Sequence, residues 1–371
     1  MKAVVYDGYG AAPVLTQVAD PDCPADGVVV AVGATGVCRS DWHAWKGHDP
    51  VTLPHIGGHE FAGAVVAAGP GVTGWRAGDR VTVPFACGCG SCEHCLAGNA
   101  QVCPRQTQPG FTGPGSFAEL VAVHAADANL VALPADVDFV TAACLGCRFA
   151  TAFRAVTGHG RVRPGDWLAV HGCGGVGLSA VMIGVALGAR VLAVDVSAAA
   201  LARARELGAE AVLPTGAGDT GGGDTGAGDT GGGDTGGDTG TEGLAATIGE
   251  LTGGGAHVSI DALGSPAVAA DSVRCLRRRG RHVQVGLLPG APVPLAMDLV
   301  IARELEIYGS HGMAARDYPD MMRLVRDGTL RPGLLVGELI SLADVGRALA
   351  AMDGPGGAGM GAGMTVAKPA G

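Results

Sequence analysis

Apolar residues occur in short runs along the first 150 or so residues, and glycine or proline separates most of these runs. KAVVY, GVVVAVGATGV, EFAGAVVAAG, DRVTVPF and FAELVAV are the clearest of them. Short runs rich in β-branched and aromatic residues between turn-forming residues are typical of strands. The pattern therefore predicts an irregular all-β domain over about residues 1–150.

Beyond this region, strand-like runs alternate with segments of helical pattern. WLAVHG, RVLAVDV, AVL, HVSIDALG and RHVQVGL are predicted strands, and VGLSAVMIGVALG and SAAALARARELG are predicted helices. Ser197 precedes the second helix and is its predicted N-cap. Strands and helices in alternation favour a parallel sheet with right-handed crossovers. A last short strand, MTV, is predicted near the C-terminus.

Residues 215–243 interrupt this alternation. The segment repeats Gly-Asp-Thr and contains no large apolar side chain. It lacks the period of about nine residues and the recurring aliphatic residue of a calcium-binding β-roll. Weak calcium binding by its aspartates is an alternative, but the composition favours a disordered surface insertion. The reason is that burial cannot offset the entropy lost on ordering such a segment.

Length and composition narrow the class of protein. The chain has 371 residues, 47% of them hydrophobic, which is enough for two domains with their own cores. The net charge of −10, with no basic stripe, argues against a nucleic-acid partner. No signal-peptide pattern or membrane-spanning run is evident. We expect a cytoplasmic protein with no membrane contact, in a reducing compartment where clustered cysteines more often bind metal than form disulfides.

Five of the eleven cysteines lie between Cys87 and Cys103. Four of them have the spacing C-x2-C-x2-C-x7-C: Cys89, Cys92, Cys95 and Cys103. Four thiolates leave a zinc ion with no open coordination position. The spacing predicts a structural zinc in a lobe of about residues 86–104, with Cys87 packed nearby. The alternative, free thiols on a loop, would leave four exposed and oxidisable groups.

Three other segments contain a second set of candidate zinc ligands: GVCRSDWHAWKGH, GGHEFAG and LGCRFATAFRAV. Together with the four-cysteine lobe, they resemble zinc-containing medium-chain alcohol dehydrogenases, and the resemblance covers the chain apart from the insertion. It implies that Cys38, His59 and Cys147 bind a catalytic zinc with an open fourth position, so that each chain binds two zinc ions. Cys144 is the alternative to Cys147, and the LGCR context favours Cys147.

The resemblance also implies roles for residues next to these ligands. Ser40 and His43 would pass the proton of the alcohol to solvent. Asp41 would orient the ring of His59, and Glu60 would lie behind the metal.

Aromatic residues of the same segments match positions that line the family's substrate pocket. Trp45 and Phe85 are the predicted pocket residues, with Trp42 a weaker candidate, and ordinary core packing is the alternative. Two rings near the metal would favour primary or aryl alcohols. His48 and His55 are expected to have surface or structural roles.

The stretch HGCGGVGLSA indicates a dinucleotide site. It follows a predicted strand, opens a helix and has a G-x-G-x-x-G pattern, formed by Gly172, Gly174 and Gly177 with Gly175 and Val176 between them. Asp195 ends the next strand, where a carboxylate accepts hydrogen bonds from a ribose hydroxyl and repels the phosphate of NADP. The resemblance places Arg39 at the pyrophosphate. It also shows Ala200 where many members have lysine, so NAD is predicted with a less strict preference.

The predicted fold is α/β. The resemblance implies a GroES-like catalytic domain over residues 1–150 and 312–371 and a Rossmann domain, a doubly wound parallel sheet, over residues 151–311. The predicted activity is hydride transfer between a small-molecule alcohol and NAD, giving an aldehyde or ketone, in a homo-oligomer that is a dimer or tetramer. Alternatives are a polyol or biosynthetic substrate, an NADPH-dependent reductase of the same superfamily, and a non-catalytic dinucleotide-binding protein.

Overall fold

The computed structural model describes residues 1–215, 241–288, 290, 292–353 and 363–369, with the backbone alone at 241 and 242. Its strands are β1 (Lys2–Val5), β2 (Val14–Gln17), β3 (Val28–Val37), β4 (Glu60–Ala68), β5 (Arg80–Thr82), β6 (Leu120–Val123), β7 (Val131–Ala132), β8 (Trp167–His171), β9 (Arg190–Asp195), β10 (Ala211–Pro214), β11 (Ala256–Asp261), β12 (Leu276–Gln284), β13 (Glu306–Gly309), β14 (Val336–Ser341) and β15 (Met364–Lys368).

The α-helices of the described residues are α1 (Arg39–Lys46), α2 (Glu93–Leu96), α3 (Ala126–Asn129), α4 (Phe139–Ala143), α5 (Arg148–Arg154), α6 (Gly175–Ala186), α7 (Ala198–Glu206), α8 (Thr241–Thr252), α9 (Pro266–Arg274), α10 (Met297–Arg303), α11 (Tyr318–Arg326) and α12 (Val345–Ala350). None of these helices combines the length and apolar character needed to cross a bilayer. The hydroxyl of Ser197 accepts a hydrogen bond from the amide of Ala200, which is the N-cap predicted for α7.

The chain divides into two compact units. One comprises Met1–Arg154 and His311–Gly371, and the other comprises Ala155–Ser310. The first segment of the first unit ends four residues after the boundary expected at 150. Its second segment begins one residue before the boundary expected at 312. The insertion predicted at 215–243 lies largely outside the described residues. Helix α8 begins at position 241, within the last three positions of this segment.

The first unit contains a seven-stranded sheet in the order β14-β15-β3-β4-β5-β7, with β6 also paired to β3. Strand β15, from the end of the chain, pairs with the last residues of β3, so that Thr365 lies opposite Val37. Buried valines of β3, β4 and β5 form one core on this sheet. The sheet thereby fixes the position of Cys38, the residue that directly follows β3.

The second unit contains a six-stranded parallel sheet in the order β10-β9-β8-β11-β12-β13. The order reverses between β8 and β11, and ligands of such sheets bind at the carboxyl ends of strands beside a reversal. His171 at the end of β8 lies level with Val194 of β9 and Asp261 of β11. The parallel sheet confirms the predicted α/β class.

Candidate active site and metal centres

Three sequence-distant segments of the first unit bring the expected catalytic ligands together. Cys38 follows β3, His59 precedes β4, and Cys147 precedes α5. The ligand atoms of these residues all lie within 4.8 Å of one another. Cys144, the alternative ligand, is instead buried, and its thiol lies 3.7 Å from the carbonyl of Val140.

The chemistry of this triad fits a zinc ion. Two thiols and an imidazole are ligands that zinc prefers, and three of them leave a fourth position open. The Nε2 atom of His59 is buried and has no hydrogen-bond partner among the described residues. An unpartnered buried nitrogen costs stability, and a metal ion beside the two thiols would supply its partner.

Asp41 fixes the orientation of the ligand imidazole. Its Oδ1 atom accepts hydrogen bonds from Nδ1 of His59 at 2.8 Å and from the amide of Gly58 at 3.1 Å. Its Oδ2 atom accepts one from the amide of Cys38 at 2.9 Å, which completes a capping box at the start of α1. Burial disfavours the imidazolium of His59, but Asp41 outweighs burial and raises the pKa of His59. Independently of the pKa, the hydrogen bond to Asp41 holds a proton on Nδ1, so Nε2 is the nitrogen that is left to bind a metal.

Glu60 directly follows the candidate ligand His59 and is held by Arg148, a residue for which the sequence predicted no role. The amide of Arg148 donates to Oε1 of Glu60 at 2.9 Å, and its Nε atom donates to Oε2 at 2.8 Å. Both side chains are buried. Burial disfavours the charge of Arg148, but Glu60 outweighs burial and raises the pKa of the guanidinium. The signal in the sequence was an arginine directly after a ligand cysteine.

The predicted relay residues lie on α1. The hydroxyl of Ser40 is 3.9 Å from the thiol of Cys38. Nδ1 of His43 lies 3.1 Å from Nδ1 of His48, a residue expected to have only a surface or structural role. Burial and then the charges of Arg39 and His48 lower the pKa of His43 to about 4. Arg39 itself stacks on Trp42, with its guanidinium carbon 3.9 Å from the ring centroid.

Aromatic rings surround one side of the ligand triad. Phe85 lies 6.0 Å from the ring of His59, measured between centroids, and Phe111 lies 5.0 Å from it. Phe111 occurs in a loop rich in glycine and proline, where nothing in the local pattern indicated a role. His311 packs edge-on against Phe85 at 5.0 Å. Phe85 and Phe111 therefore both lie beside the ring of His59, and His311 lies against Phe85.

Trp45 does not line the pocket. It is buried in a core cluster with Val4, Tyr6 and Phe117, and its indole nitrogen donates to the carbonyl of Ala11 at 2.6 Å. The expectation of a pocket role is corrected because α1 turns this face toward the core. His55 is also structural: it is buried, and its Nε2 atom lies 2.8 Å from the carbonyl oxygen of Gly110.

The four cysteines of the lobe form the second candidate metal centre. Their thiols all lie within 4.8 Å of one another, and the Sγ of Cys92 lies 3.5 Å from that of Cys95 and 3.6 Å from that of Cys103. Tetrahedral zinc with Zn–S bonds of about 2.3 Å separates its sulfurs by about 3.8 Å. Hydrogen bonds from Ser91 lower the pKa of Cys89 to about 5, which favours the thiolate that zinc binds. Cys87 is buried outside this set.

The glycine-rich turn of the second unit connects β8 to α6. A Cβ atom at Gly177 would lie 1.7 Å from the carbonyl oxygen of Gly172, so only glycine permits this close turn. Gly174 is the N-cap of α6, and Gly175 and Val176 form its first turn. The amides at this helix terminus are suited to a pyrophosphate.

Asp195 ends β9 beside this turn. Its Oδ2 atom accepts a hydrogen bond from the amide of Cys173 at 2.6 Å, and its Oδ1 atom accepts one from the amide of Ser197 at 2.7 Å. These bonds orient a carboxylate at the carboxyl end of the strand, next to the first glycine of the turn. This is the position from which an acidic residue binds a ribose hydroxyl.

Comparisons with known proteins agree with this arrangement. Residues 24–135 match the family described as alcohol dehydrogenase GroES-like domain, and residues 175–327 match the zinc-binding dehydrogenase family. An alcohol dehydrogenase of Geobacillus stearothermophilus is 31% identical over 348 residues, or 93% of this chain and 95% of the relative.

Two further relatives extend the comparison. A sorbitol dehydrogenase of Halalkalibacterium halodurans is 30% identical over 345 residues, which is 91% of each chain. A crystal structure of an NAD-dependent alcohol dehydrogenase superposes with a TM-score of 0.82 at 29% identity, and covers 99% of each chain.

Proposed function

The chain belongs to the zinc-type medium-chain alcohol dehydrogenase family, and we propose that it is a zinc-dependent enzyme that transfers hydride between a small alcohol and NAD. The observation that best supports this activity is the buried triad of Cys38, His59 and Cys147, with one imidazole nitrogen left without a partner. Bound zinc would act as a Lewis acid that makes the proton of an alcohol labile, while NAD would accept the hydride.

Residues of the first unit form the proposed site for the catalytic metal and the alcohol. Cys38, His59 and Cys147 hold the metal, and Asp41 keeps Nε2 of His59 directed at it. Glu60 is kept by Arg148 beside the ligands. Phe85 and Phe111 flank the imidazole of His59, so the wall favours a flat or small substrate such as an aryl or primary alcohol. Ser40 and His43 take the proton away from the alcohol.

The four-cysteine lobe would hold a second zinc ion in a closed, structural site. For the cofactor, the amides of the glycine turn bind the pyrophosphate, and Asp195 binds the adenosine ribose. A negative charge at that point opposes the phosphate of NADP. We propose NAD as the preferred cofactor on this basis, with Arg39 as a further pyrophosphate ligand. The cytoplasmic location and the homo-oligomeric state, a dimer or tetramer, stay predictions. Light scattering tests the oligomeric state.

The decisive experiment is the oxidation of an alcohol panel by the zinc-loaded protein, followed through the absorbance of reduced nicotinamide. The panel runs from ethanol and butanol through benzyl alcohol to secondary alcohols and polyols, with NAD and NADP offered separately. We expect turnover with NAD and the best rates with primary or aryl alcohols. A Cys38→Ser variant that retains its structural zinc and NADH binding is the matched control and should be inactive. Turnover by that variant would show that Cys38 is not a ligand.

A second candidate substrate class is a polyol. The similarity to a sorbitol dehydrogenase supports it, since that relative covers nine-tenths of the chain at nearly the same identity as the alcohol dehydrogenase. Hydrogen-bonding groups in the pocket would be needed to select a polyol. Faster turnover of sorbitol than of benzyl alcohol in the same panel would favour this alternative.

A further inference from the structure

The turn after α1 places a second histidine against His43. The Nδ1 atoms of His43 and His48 lie 3.1 Å apart, within hydrogen-bonding distance. Residues five apart in a continuous α-helix point about 140° away from each other around the helix axis. The two rings therefore meet only because the helix ends between them.

Gly47 ends the helix and creates this contact. It has the left-handed conformation, with φ 78° and ψ 11°, and its amide donates to the carbonyl of Ala44 at 3.0 Å. The amide of His48 donates to the carbonyl of His43 at 2.9 Å. A Cβ atom at Gly47 would lie 2.9 Å from the ring of Tyr9, so the turn requires glycine. The backbone thus returns His48 to the residue five positions earlier.

Trp42 fixes the two rings from a third side. Its ring packs edge-on against His43 at 5.0 Å and against His48 at 5.2 Å, measured between centroids. Its indole nitrogen donates to Oδ1 of Asp353 at 2.7 Å, and the guanidinium carbon of Arg39 lies over its ring, 3.9 Å from the centroid. The histidine pair is therefore a packed arrangement and not a chance meeting of two surface side chains.

The two histidines differ in their surroundings. His43 is half-buried next to the cationic Arg39, so its environment disfavours the imidazolium and lowers its pKa. His48 is exposed to solvent. The charged and titratable groups around the pair are Arg39 and Cys38 on α1, Lys46 at its end, Asp49 in the next turn, and Asp353 from the segment Ala351–Asp353. Lys46 is paired with Asp353 at 2.8 Å.

We propose that His48 is the outer member of the proton relay and takes the proton that reaches His43. This inference rests on the proposed function, because a relay needs an alcohol that loses a proton. His48 acts through His43 and is a positioning residue: its contact with Nδ1 of His43 leaves Nε2 as the nitrogen that receives the arriving proton. Its exposed ring also extends the path from the half-buried His43 to solvent.

The transfer balances within the pair. In the neutral pair one ring donates its Nδ1 proton to the Nδ1 lone pair of the other. When His43 is the donor, a proton that arrives at its free nitrogen Nε2 allows the Nδ1 proton to pass to His48. His48 then releases its Nε2 proton to water, so one proton enters and one leaves. Exchange with solvent restores the two tautomers before the next turnover.

Nuclear magnetic resonance of the zinc-loaded chain with 15N-labelled histidine tests the pair without any turnover. We expect a 15N–15N coupling across the hydrogen bond between the two Nδ1 atoms. It should be absent in His48→Gln and His43→Gln, and present in His94→Gln, which changes an exposed histidine of the cysteine lobe. Independent titration of the two rings with no coupling would overturn the proposal.

Stopped-flow kinetics tests the consequence for the reaction. His48→Gln should lower the rate of alcohol oxidation about tenfold near pH 7, and much less near pH 9.5, where hydroxide accepts the proton directly. The KM for the alcohol should not change. His43→Gln should also lower the rate. If it does, and the pH–rate profile of His48→Gln superimposes on that of the unmodified protein, the proposal is overturned. If the unmodified protein oxidises no alcohol, the proposed function fails, and the coupling measurement still decides whether the pair exists.

Discussion

Arg148 forms a buried ion pair with Glu60 directly beside Cys147, a candidate metal ligand. The guanidinium Nε atom lies 2.8 Å from Oε2 of Glu60, and the backbone amide of Arg148 lies 2.9 Å from Oε1. Glu60 is fully buried, and the side chain of Arg148 is 6% exposed. Neither charge can be hydrated if the other is removed, so the pair is a structural requirement of the site.

Arg148→Ala should lower the free energy of unfolding by about 3–5 kcal/mol, because it leaves the Glu60 carboxylate buried without a partner. Denaturant unfolding of the zinc-loaded protein measures this. The double variant Glu60→Gln with Arg148→Met should lose less than Arg148→Ala alone, since no unpaired charge remains. Arg347→Ala removes an exposed i,i+3 contact with Asp344 and is the control, with no measurable loss expected. Equal losses for Arg148→Ala and Arg347→Ala would contradict the prediction.

Asp41→Asn should weaken metal binding at the catalytic site by about 10–100-fold, since the amide no longer carries the charge that orients and polarises His59. Competition with a chelator, followed by metal analysis, measures the loss. The protein should keep the zinc of the cysteine lobe and lose the other ion first. Asp49→Asn, an exposed carboxylate beyond the same helix, is the control. If both variants keep the metal equally well, Asp41 does not act on His59.

Cys95→Ala should remove one zinc ion per chain and lower the thermal midpoint, because three thiolates no longer close a tetrahedral site. Metal analysis and calorimetry of the purified protein test this. Cys87→Ala is a matched control, because Cys87 lies in the same segment but outside the four-thiol set, with its own thiol 3.3 Å from the carbonyl of Pro84. A full zinc count in Cys95→Ala would refute a zinc site formed by these four residues.

Two buried histidines of the second unit should make stability depend on pH. Burial lowers the pKa of His171 to about 3 and that of His282 to about 4. In the unfolded chain both would titrate near 6.5, so below that pH the unfolded state binds more protons than the folded state. Their stabilising contribution is therefore complete above about pH 6.5 and is lost as pH falls toward their folded-state values.

Between about pH 6 and pH 4.5 these two groups should reduce the free energy of unfolding by up to about 2.7 kcal/mol per pH unit. Urea unfolding across this range measures the slope. The variant with both His171→Gln and His282→Gln should show a shallower slope, whereas His94→Gln should not. Identical slopes in the double variant and the unmodified chain would show that these histidines are not the groups responsible.

Asp195→Ala should reduce kcat/KM for NAD about tenfold and raise the relative use of NADP, because the carboxylate that binds the ribose and opposes a phosphate is removed. Steady-state kinetics with each cofactor tests this, with Asp166→Ala as a control at the other end of the sheet, before β8. An unchanged ratio of the two cofactors would show that Asp195 does not select between them.

The sequence alone determined the features that depend on residues close together in the chain. The four cysteines lie within 15 positions, and the glycine turn joins one strand to the next helix. Ser197 caps the helix that starts one residue later. In each case a few consecutive residues set the geometry, so spacing and residue type were sufficient. Spacing and residue type were not sufficient for the triad of Cys38, His59 and Cys147, because its members are far apart in the chain. It was predicted only through resemblance to a family.

Only the tertiary structure decided the contacts between distant segments. Arg148 meets Glu60 across 88 positions, and Phe111 reaches the ring of His59 from a loop with no distinctive pattern. Trp45 points into the core although its sequence position suggested the pocket. His48 meets His43 because one left-handed glycine reverses the chain. Side-chain surroundings of this kind arise from how the sheet and helices pack, and no local pattern encodes that packing.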